Sequence, residues 1–260
     1  MLVREGRKWV LYTSDGSRVL GTHPTREAAM RQETAIRISQ QARKNPFELS
    51  RMPPPWETSA FEPYISDQTM ITHTQTLHQG YVDKLNSRFG NSDLLSLPPS
   101  DVLNNPSAFF TTEGDKQFYI DMMGGNLCHT LFWQILNPNG TTRSTRDLEK
   151  ALGVSTGSIC KRIVDLGVKR VGSGWVWGAL NNRNQFVMYS TKNHNTPYMR
   201  LQTPLFCVDV WEHAYFLDQL ADRKAYMENI VSFLDFSVIA DILGSQLEGV
   251  DPIDAWVLGR

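Results

Sequence analysis

Three histidines and one aspartate are the residues most able to do chemistry together. His73, His129 and His213 each lie in apolar, helix-like or strand-ending sequence. An uncharged imidazole in such a place costs free energy unless its nitrogens are bonded. Asp209 stands four residues before His213 in Asp209-Val210-Trp211-Glu212-His213, where a strand runs into a helix, so carboxylate and imidazole can converge on one point. Three imidazoles and one carboxylate suit Fe, Mn or Zn. For any one histidine taken alone, the competing reading is a hydrogen-bonded place in the core or on the surface. Cys128, Cys160 and Cys207 are odd in number and lack CxxC spacing. Neither a disulfide framework nor a zinc ribbon is encoded, and a reducing compartment fits best.

The elements that must carry these residues fall in an α+β order. Apolar spacing predicts a helix from Ser66 to about Arg88 and a second from Phe118 to about Leu136, two long helices that suggest an antiparallel hairpin. After the turn Asn137-Pro138-Asn139-Gly140 come helical segments near Thr145–Leu152 and Thr156–Leu166. Three β-like runs come next, Trp175–Leu180, Phe186–Tyr189 and Leu205–Val208, then helices over Glu212–Ala221 and Tyr226–Leu243. Asn139-Gly140-Thr141 has the form of a glycosylation acceptor but reads as a turn.

The first fifty residues form a separate unit by charge. Met1–Arg51 holds 10 Lys and Arg against 5 Asp and Glu, a net +5, which leaves −6 for the remainder of a chain whose formal charge is −1. Such a total gives no global field toward nucleic acid or an anionic membrane. Lys8–Thr13 and Arg18–Gly21 read as two strands around an Asp15-Gly16 turn, and Thr25 caps a helix from Arg26 to about Gln41, a ββα module. Pro53-Pro54-Pro55 separates this module from the rest of the chain. The expected division is a basic ββα extension over 1–51, a helical-hairpin domain over 52–137 with two metal ligands, and an α+β domain over 138–260 with the other two. With 41% hydrophobic and 20% charged residues over 260 positions, the chain is globular rather than disordered. No apolar stretch approaches the roughly 18 residues of a membrane span, and Arg4, Glu5, Arg7 and Lys8 stand where a secretory segment would be apolar. The expectation is a soluble, cytoplasmic protein with no membrane partner.

Beyond these local readings, Phe61-Glu62-Pro63-Tyr64-Ile65-Ser66, His73, His78-Gln79-Gly80-Tyr81-Val82 and Lys84-Leu85-Asn86 together are similar to the first helix of the iron/manganese superoxide dismutases. Then, in order, His129-Thr130-Leu131-Phe132-Trp133, Gly172-Ser173-Gly174-Trp175-Val176-Trp177, Ser190-Thr191-Lys192-Asn193 and Asp209-Val210-Trp211-Glu212-His213-Ala214-Tyr215 resemble the family's remaining signature segments. The resemblance spans about residues 53 to 240. It implies a helical hairpin followed by an α/β domain with a three-stranded antiparallel sheet. It also implies that His73, His129, Asp209 and His213 hold one Fe or Mn ion per subunit, with water or hydroxide in the fifth position. The implied reaction oxidises one superoxide to dioxygen and reduces the next to hydrogen peroxide with uptake of two protons. Zinc cannot cycle in this way.

The same resemblance makes Tyr81 a gateway tyrosine between the solvent funnel and the metal-bound water. Trp133, Trp175, Trp177 and Trp211 become the aromatic wall, Arg223 a funnel-rim cation that attracts the superoxide anion, and Glu212 an acid that reaches the His ligand of a second subunit in a homodimer. Departures from the family pattern carry their own expectations. Gly125 and His194 stand at the two positions from which family members supply a glutamine, so His194 is expected to donate to the metal-bound solvent. Leu77 and Phe216 replace a histidine and tyrosine that hydrogen-bond across the dimer interface; losing both halves of a polar pair is nearly neutral, and the interface should hold. Two other classes remain. A non-haem iron oxygenase would use two histidines and one carboxylate, and the third histidine counts against it. A metal-binding structural or interaction protein on a dismutase fold would act through its N-terminal module, whose partner is unknown. That module loosely resembles small modules of tailed-phage proteins, which would imply a host-cell cytoplasm.

Overall fold

The structure, a computed structural model, describes residues 2–6, 8–13, 17–26, 28, 29, 32, 48–90 and 92–259. By internal contacts the chain divides into residues Met1–Glu48 with Phe89–Leu97, and Leu49–Arg88 with Pro98–Arg260.

In the first unit, β1 (Leu2–Glu5), β2 (Lys8–Tyr12) and β3 (Val19–His23) form an antiparallel meander in the order β1-β2-β3. Two of these strands are the expected ones. β1 is additional: four residues are too few to display a period, and the strand exists because Leu2 and Val3 pair with Leu11 and Val10. Val10 and Leu11 are buried. The Thr25 hydroxyl accepts from the Ala28 amide at 3.2 Å, the expected cap. The Asp15-Gly16 turn and most of the helix expected over 26–41 lie outside the described residues.

In the second unit, the Ser66 hydroxyl caps α1 (Asp67–Ile71), which passes through a π-helical stretch (Thr72–His78) into α2 (Gln79–Phe89). A short α3 (Pro99–Asn104), which the spacing did not signal, precedes α4 (Glu113–Ile135), capped by Thr112. The long helices run antiparallel, as their contacts show. His73 meets Trp133, His78 meets Asn126, and Arg88 meets Asp115, so partners descend in number as the first helix ascends. From Met123 to Trp133 every residue of α4 is buried, the signature of a helix with core on all sides.

Next, α5 (Arg146–Leu152) and α6 (Thr156–Lys169) precede an antiparallel sheet of β4 (Gly174–Leu180), β5 (Phe186–Lys192) and β6 (Thr203–Asp209) in the order β5-β4-β6. β4 is central and buried throughout. Its register sets Trp175 opposite Thr191 on one side and Asp209 on the other. β6 lies against α4, where the Cys207 thiol meets the Cys128 carbonyl at 3.3 Å. This is the expected α+β fold with its three-stranded antiparallel sheet.

Two predicted helices are corrected. Glu212–Ala221 is a 3₁₀ turn (Glu212–Ala214) and then one helical turn, α7 (Phe216–Gln219). Tyr226–Leu243 is two helices, α8 (Arg223–Ile230) and α9 (Phe236–Leu247). Between them Leu234 bridges to Leu136, Asn137 N–H donates to the Phe233 carbonyl and Asp235 N–H to the Ile135 carbonyl, both at 2.8 Å. Pairing with a distant segment overrides a locally helical pattern. A last helix, α10 (Pro252–Val257), was not foreseen. Among the described residues no helix is long and apolar enough to cross a membrane.

Candidate metal centre

Four elements deliver the four expected ligands. His73 comes from the π-helical stretch, His129 from α4, Asp209 from the end of β6, and His213 from the 3₁₀ turn Glu212–Ala214. Asp209 Oδ2 lies 3.2 Å from His73 Nε2, 3.4 Å from His213 Nε2 and 3.8 Å from His129 Nε2. All four ligand atoms fall within 4.8 Å of one another. His73, His129 and Asp209 are buried, and His213 is 23% exposed.

Hydrogen bonds aim these atoms inward. The Gly125 carbonyl accepts from His129 Nδ1 at 2.7 Å, so that nitrogen carries the proton and Nε2 presents a lone pair. The Trp211 amide donates to Asp209 Oδ1 at 2.7 Å and leaves Oδ2 for the centre. Asp209 Oδ2 and His213 Nε2 are buried without a hydrogen-bond partner. Two such orphans beside two more imidazole nitrogens are what a cation would satisfy, so the residues fit one Fe or Mn ion. Burial alone would raise Asp209, but the His213 and His73 imidazoles outweigh it and hold the carboxyl below its usual range. Burial pushes His73 down to about 4 and His129 well below its ordinary value. At neutral pH the Asp209 carboxylate therefore stands beside neutral His73 and His129 imidazoles.

The expected surroundings assemble at different distances. Trp133 packs edge-on to His73 at 4.7 Å, Trp175 edge-on to His129 at 5.0 Å, and Trp211 lies 5.5 Å from His213. Trp177 stands one step back. Its Nε1 donates to the Thr191 hydroxyl, which donates to the Asn195 carbonyl, bracing the loop that carries His194.

His194 is buried and stacked on Trp211 at 4.6 Å. Its expected donation to the centre takes another form. Trp175 Nε1–H donates to His194 Nδ1 at 3.2 Å, so the neutral ring carries its proton on Nε2, 2.8 Å from the Tyr81 hydroxyl. Burial lowers His194 to about 4, which keeps the ring neutral. Burial and the Asp209 charge push the Tyr81 hydroxyl above its ordinary value, so it stays protonated. Because its oxygen accepts from His194, its own proton is left to give. Gly125 makes room for this pair: a Cβ there would sit 2.8 Å from the Tyr81 ring, and one on Gly124 would sit 2.2 Å from the His194 carbonyl.

Arg223 does not touch the four ligands. It donates to the Tyr215 hydroxyl at 3.0 Å and to the Arg170 and Gly172 carbonyls. Glu212 is exposed, Leu77 is half-buried, and Phe216 is 49% exposed.

His78 received no role from the sequence. It stacks on His129 at 5.4 Å, accepts from Trp133 Nε1 at Nδ1, and bonds Asn126 Oδ1 through Nε2 at 2.8 Å. At 3.6 residues per turn His73 and His78 would diverge by roughly 140°. The wider π turn brings both to α4, and no 3.6-residue pattern signals that.

Comparison with known proteins agrees with this geometry. Residues 46–137 match the model of the iron/manganese superoxide dismutase alpha-hairpin domain, and residues 143–242 match that of the C-terminal domain. A relative named superoxide dismutase [Mn] 3, from Leptolyngbya boryana, is 34% identical over 69% of this chain and 77% of its own length. A superoxide dismutase [Mn] from Thermus thermophilus is 32% identical over 74% of this chain and 95% of its own. Two domain matches in sequence order, each carrying two of the four converging ligands, leave one assignment: the chain belongs to the iron/manganese superoxide dismutases.

Proposed function

We propose that dismutation of superoxide by this chain runs at the His73, His129, Asp209 and His213 centre, with Tyr81 as the nearest proton donor and His194 as the group that sets the direction of its proton. A bound Fe or Mn ion supplies the one-electron couple by which one superoxide becomes dioxygen and a second, with two protons, becomes hydrogen peroxide. The chain's own part is orientation, shielding and proton handling. Gly125 holds the His129 tautomer, and Trp133, Trp175 and Trp211 exclude bulk water. Trp175, His194 and Tyr81 form a hydrogen-bonded series whose donors all point one way, so the Tyr81 proton faces outward from the series.

The observation that carries this reading is the convergence of four donor atoms, two of them orphaned. Metal analysis alongside turnover of iron- and manganese-loaded protein tests it. Asp209→Ala should lose both metal and activity, by at least roughly tenfold. Full activity in that variant would sink the assignment.

The active assembly in this reading is a homodimer in a reducing, cytoplasmic compartment. Glu212 and the apolar Phe216, Leu217 and Leu220, the last two 62% and 64% exposed, adjoin His213 in sequence and supply a face for a second copy. The three cysteines are free, as a reducing compartment keeps them. Sedimentation of the wild type against Glu212→Ala tests the dimer, with dissociation expected at higher concentration in the variant.

A further inference from the structure

Next to the His194 loop, and lined by none of the four ligands, lies a cavity of about 370 Å³. Three cations border it: Arg170 at the end of α6, Lys192 at the end of β5, and Arg200 in the 3₁₀ turn Pro197–Arg200. No carboxylate lines it, and none of the three cations has an ion-pair partner among the described residues. Uncompensated like charges around one concavity raise its potential and draw in an anion.

Arg170 and Thr196 belong to the same lining. Arg170 Nε and the Thr196 hydroxyl have no hydrogen-bond partner, and Thr196 is only 1% exposed. Asn195 adds an amide to the lining. Arg200 is held in place by stacking over Tyr189 at 4.6 Å.

We infer that this cavity is a binding site for a phosphate group, either free phosphate or the terminal phosphate of a small metabolite. A guanidinium presents a planar fork of donors that matches phosphate oxygens, and a lysine adds a point charge. The volume lies at the small end of the ~300–1,000 Å³ typical of ligand pockets, enough for a phosphate with a modest organic group. None of the four metal-site residues lines it, and its occupancy reads out without turnover.

The test is calorimetric titration of the metal-loaded protein with inorganic phosphate and, separately, with adenosine monophosphate, repeated on Lys192→Gln/Arg200→Gln. Both residues are exposed, so the variant keeps the fold. The expected result is saturable binding weakened at least tenfold in the variant, with a rise in wild-type melting temperature on adding ligand. Tighter binding of the nucleotide identifies a phosphate-bearing metabolite, and equal or tighter binding of phosphate identifies the free anion. No saturable binding of either probe at about 20 mM, or equal binding by wild type and variant, would overturn the inference.

Discussion

At the scale of single residues, the proposed proton handling rests on one hydroxyl. Tyr81 accepts from His194 and remains protonated, while its ring packs against Gly125. Tyr81→Phe removes the hydroxyl and keeps the ring, so metal content should stay at the wild-type level while turnover drops by roughly ten- to a hundredfold. Loss of metal in that variant would make Tyr81 structural instead. Gly125→Ala sets two effects against each other. A glycine-to-alanine change inside a helix gains up to about 1 kcal/mol in propensity, but a methyl 2.8 Å from a rigid aromatic ring costs about 1–3 kcal/mol in overpacking. The clash should win, lowering both the denaturation midpoint and activity as Tyr81 is displaced.

At the scale of elements, the C-terminal helix α10 is fastened by carboxylates. Asp254 accepts from the Ser100 amide at 2.9 Å and from the Ser100 hydroxyl, while Asp251 accepts from the Tyr198 hydroxyl and caps Ile253. Burial and then the neighbouring Asp251 raise Asp254 to about 7, and burial raises Asp251 as well. A carboxyl whose folded pKa lies above its unfolded value binds its proton more strongly in the folded state. Its stabilisation is complete below the unfolded value near 4 and is lost as pH rises through about 7. The melting temperature should therefore fall between about pH 4 and pH 7, and Asp254→Asn should flatten that slope. An unchanged slope in the variant would assign the dependence to other groups.

For the whole molecule, the ligands, their supports and the three-stranded sheet β4–β6 all belong to residues 49–88 and 98–260. Leu49 is tied to the Asn86 side chain by two hydrogen bonds, and Arg51 Nε donates to Gln79. A chain beginning at Glu48 keeps those ties. It should retain metal content and turnover within about twofold of the full chain, since it loses no group that orients a ligand. Collapse of activity on truncation would make residues 1–47 an integral part of the enzyme rather than an appendage.

Residue chemistry and local period were enough to nominate the ligand set. Histidines in apolar sequence need partners, Asp209 and His213 stand four apart at a strand end, and the runs at Trp175, Phe186 and Leu205 are the strands β4, β5 and β6. Tertiary structure alone decided how these pieces meet. The π-helical turn that brings His78 to α4, the break at Leu234 made by pairing with Leu136, and the pairing of β1 all arise from contacts between distant segments. So does the order Trp175 to His194 to Tyr81, which joins positions up to 113 residues apart and redirects an N–H that sequence reading aimed at the metal centre. Hydrophobic period reports which face of an element is buried; the partner of a buried nitrogen is chosen only when the elements pack.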